Sequence, residues 1–276
     1  MTYARTSLQR DGLALALHAW VPDLPQTTVF YVHGTQSHAG WLFETGPALS
    51  ALGCAVYALD RRGSGESEGP RGHCESYTDW CEDYLAAMHH VRALHPDLPM
   101  VLDGQSFGGA IAAAIAADPR ACHDAVLLVT PLIAQRVGLD LWKDVADDVP
   151  VRLPAPDEWF THEPRYLEFM RADAKMTRSG MRKFQQARVA LGEHYGSLDA
   201  PLAGRPAVLV LSRVDPMIAP TAARDVFDKL TGGAGIVIEL PGTDHYLDFT
   251  SSREQLWRLV GSFARTFIAS RHVSQS

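Results

Sequence analysis

The chain has 276 residues, 46% of them hydrophobic, and a formal net charge of -7. Such a length and apolar fraction suffice for one large domain, or for a domain carrying an insertion. The acidic balance argues against nucleic acid, whose phosphates attract basic surfaces, and gives no general attraction to anionic lipid.

The opening MTYARTSLQRDGLALALHAW has no basic segment leading into an apolar core with a small-residue cleavage site. It reads instead as two alternating runs, ARTSLQ and LALALHAW, flanking the hairpin signal Arg10-Asp11-Gly12. TTVFYVHG is a short continuous β-branched and aromatic run, as in a strand covered on both faces. CAVYALD and PMVLDG follow the same pattern, then AVLLVT at 125–130, AVLVLS at 207–212 and GIVIEL at 235–240. Helical patterns fall between them. From Ser76 to His95, residues Tyr77, Trp80, Tyr84, Met88 and Val91 recur at steps of three and four and form one apolar face. Ala110 to Ala117, Thr221 to Leu230 and Glu254 to Ile268 give three more helices. An opening hairpin followed by alternating strands and helices implies an α/β class: eight strands, mostly parallel, with helices on both faces.

The segment from Pro131 to Pro206 breaks this alternation. It has no clear strand, and its short helical pieces are punctuated by Pro150, Pro154, Pro156 and Pro164. It reads as a helical cap inserted after the sixth strand, with 1–130 and 207–276 as the core. No window approaches the length of a transmembrane helix, so a cytoplasmic protein without stable membrane association is expected. Cys54, Cys74, Cys81 and Cys122 form no C-x-x-C pair and suggest no metal site.

The chemistry centres on DGQSFGGAIA, in which Ser106 stands between Gly104 and Gly108. A G-x-S-x-G pentapeptide alone is weak evidence. Here a strand runs into it and an Ala-rich helix runs out, so the serine hydroxyl is exposed on a sharp turn. A serine needs a base to take its proton and an acid to orient that base. Asp215 follows AVLVLS, and His245 follows the last strand, in the order Ser, Asp, His expected for this turn. Asp244, Asp248 and Glu239 are rival acids, the first two too local to His245 and the third within a strand. The backbone amide of Phe107 would stabilise the developing oxyanion, with that of Thr35, in VHGTQSHAG, as its partner. His33 is expected to shape that loop, and Asp60, Arg61 and Arg62 to pin the loop after the fourth strand.

YVHGTQSHAGW, VYALDRRGSGESEGPRGHCESYTDW, DGQSFGGAIA, SRVDPMIAP and GTDHYLDF together resemble the α/β-hydrolase superfamily, and within it the monoacylglycerol lipase and lysophospholipase-like branch. The resemblance implies Ser106, Asp215 and His245 as a catalytic triad, the Thr35 and Phe107 amides as an oxyanion hole, and a cap shaping an acyl pocket. It departs at Gln105 and Phe107, where the branch usually carries His and Met. Asp103 replaces an apolar residue, and hydrogen bonds to nearby amides are expected for it. Ser37 and Trp41 stand where glycerol-binding relatives carry charged residues.

Ser37, Trp41, Trp142, Trp159 and Phe160 are the candidate substrate-pocket residues, since acyl pockets are mainly apolar. Residues 131–160 are net acidic, which suits a soluble esterase better than a lipase docking on anionic lipid. The expectation is a serine hydrolase of small or medium acyl esters, without metal or cofactor. A thioesterase or acyltransferase using the same triad, and a non-catalytic binding protein keeping the fold, are the alternatives.

Overall fold

The computed structural model describes residues 1–134 and 144–273. Strands β1 (Thr2–Arg10) and β2 (Leu13–Val21) pair antiparallel. Asp11 and Gly12 close the hairpin, both at positive φ (49° and 79°), as a tight two-residue turn requires. β3 (Thr27–Val32), β4 (Cys54–Leu59), β5 (Met100–Gln105), β6 (Ala125–Val129), β9 (Ala207–Ser212) and β10 (Ile236–Leu240) complete one sheet. Its order is β1-β2-β4-β3-β5-β6-β9-β10, and every pair from β4 to β10 is parallel. The eight strands expected from the sequence are all present.

The central strands are buried along their whole length, which is why they read as continuous apolar runs. α2 (Tyr77–Leu94) and α3 (Phe107–Ala117) cover one face, packing Trp80, Tyr84 and Ile111 on Phe30 and Leu102. α1 (Thr45–Ala51) and α7 (Arg253–Val273) cover the other, packing Leu49 and Val260 with Val29, Val56 and Val101. Ser76 starts α2 with a capping box completed by Asp79. α3 is buried from Phe107 to Ala116, and its run of alanines lets it lie close on β5 and β6.

Between β6 and β9 lie β7 (Val151–Arg152), α4 (Pro164–Ala172), β8 (Ser179–Gly180) and α5 (Arg182–Ser197), with α6 (Pro220–Thr231) after β9. The pair β7–β8 corrects the expectation that this segment holds no strand. Two-residue strands are too short to show a period in sequence. Among the described residues, no helix is long and apolar enough to cross a membrane.

Candidate active site

Ser106 sits between β5 and α3 with φ 54° and ψ -121°, a conformation that L-residues seldom adopt. The turn is held from three sides. Ser106 N–H donates to Val129 O at 2.9 Å, and Ser106 O accepts from Gly109 N at 2.9 Å and Leu132 N at 2.8 Å. Gly104 is needed for packing, because a Cβ there would lie 2.6 Å from Gly108 O and 2.7 Å from Gly109 Cα.

The loops after β9 and β10 bring Asp215 and His245 to the same sheet edge. His245 Nε2 is 2.7 Å from Ser106 Oγ, and its Nδ1 is 2.8 Å from Asp215 Oδ2. His245 is 0% and Asp215 1% exposed, so water does not compete for either contact. Asp215 Oδ1 accepts from the amides of Met217 (2.7 Å) and Ile218 (2.9 Å), which fix the carboxylate behind the imidazole. The rival acids are engaged elsewhere. Asp244 pairs with His162, Asp248 accepts from Thr45 Oγ1 and Trp257 Nε1, and Glu239 pairs with Arg224.

The loop from His33 to Thr35 faces the turn and is tied down by the residues after β4. Arg61 donates to the carbonyls of His33 (3.3 Å), Gly34 (3.2 Å) and Thr35 (3.0 Å). His33 Nε2 accepts from the Arg61 amide at 2.9 Å, so Nδ1 carries the proton toward Gly34 O. Burial, then the charge of Arg61, drives the His33 pKa well below its usual value, which suits a neutral spacer rather than a second base. Neither the Thr35 amide nor the Phe107 amide donates to a protein acceptor among the described residues. Arg62 pairs with Asp83 and Asp11.

Asp60 is the buried anchor of this scaffold. Its Oδ1 accepts from Ala39 N at 2.6 Å, and its Oδ2 from Glu66 N at 2.7 Å and His18 Nε2 at 3.2 Å. Burial raises its pKa, but hydrogen bonds from His18 and the Glu66 amide, with the neighbouring imidazoles, outweigh that and bring it to about 2. A depressed carboxyl pKa stabilises the fold above the unfolded pKa and loses that contribution as pH falls through the folded one. We therefore expect wild type to lose roughly 2 kcal/mol between about pH 4 and pH 2 on this account. Asp60→Asn should be less stable at neutral pH and lack that acid-limb loss. Urea unfolding at pH 7 and pH 3 measures both, and an equal acid loss in the two proteins would refute the assignment.

The pocket residues divide. Phe160 lies edge-on to His245, ring centroids 6.0 Å apart, and Trp159 O accepts the His245 amide at 2.9 Å. Trp41 is fully buried among Phe160, Phe169, Tyr246 and Phe249, and its Nε1 donates to Asp173 Oδ2 at 2.8 Å. Ser37 is buried beside Gly34, its Oγ without a partner. Trp142 lies outside the described residues.

Asp103 corrects an expectation. Its side chain is 3% exposed, and Oδ1 has no hydrogen-bond partner, because the nearby amides are already committed to the ladders of β5 with β3 and β6. Burial, then the charge of Asp248, pushes its carboxyl well above the usual range. No sequence signal distinguished this from an amide-bonded turn residue. Among the described residues, no cluster of three or more His, Cys, Asp or Glu could hold a metal.

Comparison with known proteins matches residues 23–248 to the Hydrolase_4 family, described as Serine aminopeptidase, S33. A monoacylglycerol lipase of Mycolicibacterium smegmatis is 26% identical over 244 residues, 85% of this chain and 86% of that protein. A monoglyceride lipase of Mus musculus is 32% identical over 124 residues, 45% of this chain, and the match spans only 41% of that relative's length. A solved soluble variant of monoglyceride lipase from Saccharomyces cerevisiae has the same fold, with TM-score 0.81 at 15% identity, covering 98% of this chain and 96% of that one. With an α/β-hydrolase sheet and a family match over most of its length, this chain belongs to the Hydrolase_4 family of serine hydrolases.

Proposed function

We propose that this ester-hydrolysing serine hydrolase uses Ser106 as nucleophile, His245 as general base and acid, and Asp215 as the group orienting His245. The observation that carries this reading is the unbroken hydrogen-bonded chain Ser106–His245–Asp215 at a strand-to-helix turn. His245 Nε2 takes the Ser106 proton as Oγ attacks the ester carbonyl. The amides of Thr35 and Phe107 receive the oxyanion, and Asp215 stabilises the imidazolium. His245 then returns the proton to the leaving alcohol. Water, activated by the same imidazole, releases the acid from Ser106.

The substrate class in this reading is a carboxylic ester with a small or medium acyl chain; that the relatives are named for monoglycerides supports ester hydrolysis. Residues 131–206 act as the cap. Supporting this, Phe160 rests against His245, Trp159 holds its amide, and Thr177 N–H donates to Gln36 O beside the oxyanion loop at 2.9 Å.

A p-nitrophenyl ester series from acetate to palmitate, run beside matched thioesters, tests the reading. The expected result is a kcat/KM maximum at short or medium chains, with oxygen esters at least comparable to thioesters. A strong thioester preference would sink the ester assignment.

A further inference from the structure

A cation against Phe107, the residue after Ser106, takes no part in the scheme above. A cavity of about 240 Å³ opens between α3 and α5, lined by Phe107, Leu132, Ile133, Arg188, Val189 and Tyr195 among others. Two of its walls are fixed to the proposed nucleophile. Phe107 follows Ser106 directly, and the Leu132 amide donates to the Ser106 carbonyl at 2.8 Å. Among the described residues the lining is otherwise mostly apolar and includes no carboxylate.

Arg188 lies over the Phe107 ring, its guanidinium carbon 5.3 Å from the centroid. Among the described residues its one side-chain hydrogen bond runs from Nη1 to Gln185 Oε1 at 3.2 Å, and its Nε is buried without a partner. Burial, then the like charge of Arg61, lowers its pKa to about 10, so it remains a cation at neutral pH. The other arginines near the site are committed. Arg61 donates to three carbonyls and Ser64, and Arg62 to Asp83 and Asp11. A cation in an apolar cavity without a counter-charge is costly, and a ligand of opposite charge removes that cost.

We propose that this cavity is a subsite for a carboxylate carried by the substrate, held by the Arg188 fork, so that the preferred esters bear a free acid in one arm. One available guanidinium matches the single charge and two oxygens of a carboxylate; a phosphate dianion would call for further donors. The proposal rests on Ser106 being the nucleophile.

The test compares matched ester pairs on wild type, Arg188→Met and Arg188→Lys. On the acyl arm the pair is p-nitrophenyl hydrogen glutarate against p-nitrophenyl pentanoate. On the alcohol arm it is 4-carboxyphenyl acetate against 4-methylphenyl acetate. Within each protein the ratio of kcat/KM, acid over neutral, is read, so that differences in active fraction cancel. For one of the arms the ratio should fall at least about tenfold in Arg188→Met and recover in part in Arg188→Lys. Ratios unchanged in both arms would overturn the proposal. Glutarate itself reports the subsite without turnover and should raise the melting temperature of wild type but not of Arg188→Met. If a fluorophosphonate fails to label Ser106 while glutarate still stabilises, the nucleophile reading fails and the subsite stands. If labelling succeeds and glutarate has no effect, with ratios unchanged, the subsite alone fails.

Discussion

Ser106→Ala should lower kcat/KM for p-nitrophenyl esters by about 10⁵-fold or more, and abolish labelling by a fluorophosphonate. The size follows from the roles proposed for the three side chains. Without the hydroxyl there is no covalent intermediate, and His245 has no proton to move at the reacting atom. Groups that act as one unit lose nearly the same rate whichever member is removed, so His245→Ala should match Ser106→Ala, and the double variant should be scarcely worse. Asp215→Asn should cost about 10⁴-fold, since its amide would stabilise the wrong tautomer of His245. What remains in Ser106→Ala is the contribution of binding and of the Thr35 and Phe107 amides. Stability should change little, because among the described residues this side chain's one hydrogen bond is to His245. Measurement needs a single-turnover assay on protein free of wild-type carry-over. Residual activity within a hundredfold of wild type would remove Ser106 from the nucleophile's place.

The second large effect is on folding. Gly108→Ala should destabilise the protein by more than about 3 kcal/mol, near the upper end for a single substitution. A Cβ at Gly108 would lie 1.9 Å from Val32 O and 2.7 Å from His33 O, which are backbone atoms that no rotamer change can move aside. Relief requires shifting the start of α3 away from the end of β3. Those two elements carry Ser106 and the oxyanion loop, so activity should fall with stability. Gly196→Ala in α5 provides the control. Its added methyl meets nothing within 4 Å on an exposed helical position, and should stabilise by roughly 0.5–1 kcal/mol. Urea denaturation of both variants measures the contrast. Equal stabilities would mean that the close approach of α3 to β3 is absent in solution.

Much of the fold was legible because its signals are local. The central strands are buried on both faces, and each reads as an unbroken apolar run between polar turns. The order of Ser106, Asp215 and His245 was legible for a related reason, since each follows a recognisable strand. α1 was not foreseen. Its sequence TGPALSA holds a glycine and a proline in the first turn, yet Gly46 is required there because a Cβ would lie 2.4 Å from the Trp20 ring. That requirement comes from β2, far away in sequence, and overrides helix propensity. Asp103 was misread for the opposite reason. A carboxylic acid near a turn usually finds amides, and only the ladders on either side of β5 show that none is free. Arg188 drew no attention either, because a lone arginine on an amphipathic helix reads as solvated until the helix packing against it is known.

Trp159 and Phe160 connect two parts of the protein that could otherwise move apart. His245 N–H donates to Trp159 O at 2.9 Å and Tyr246 N–H to Phe160 O at 3.0 Å, while Thr161 Oγ1 donates to Phe249 O at 2.6 Å. The backbone of the imidazole's own loop is thus stitched to the segment above it. A rigid swing of residues 159–161 would drag the imidazole off Ser106, so any such opening and loss of reactivity are one event. An opening that leaves these three bonds intact would keep the imidazole on Ser106, so the overlying segment and the hydrogen-bonded chain share a single mechanical frame.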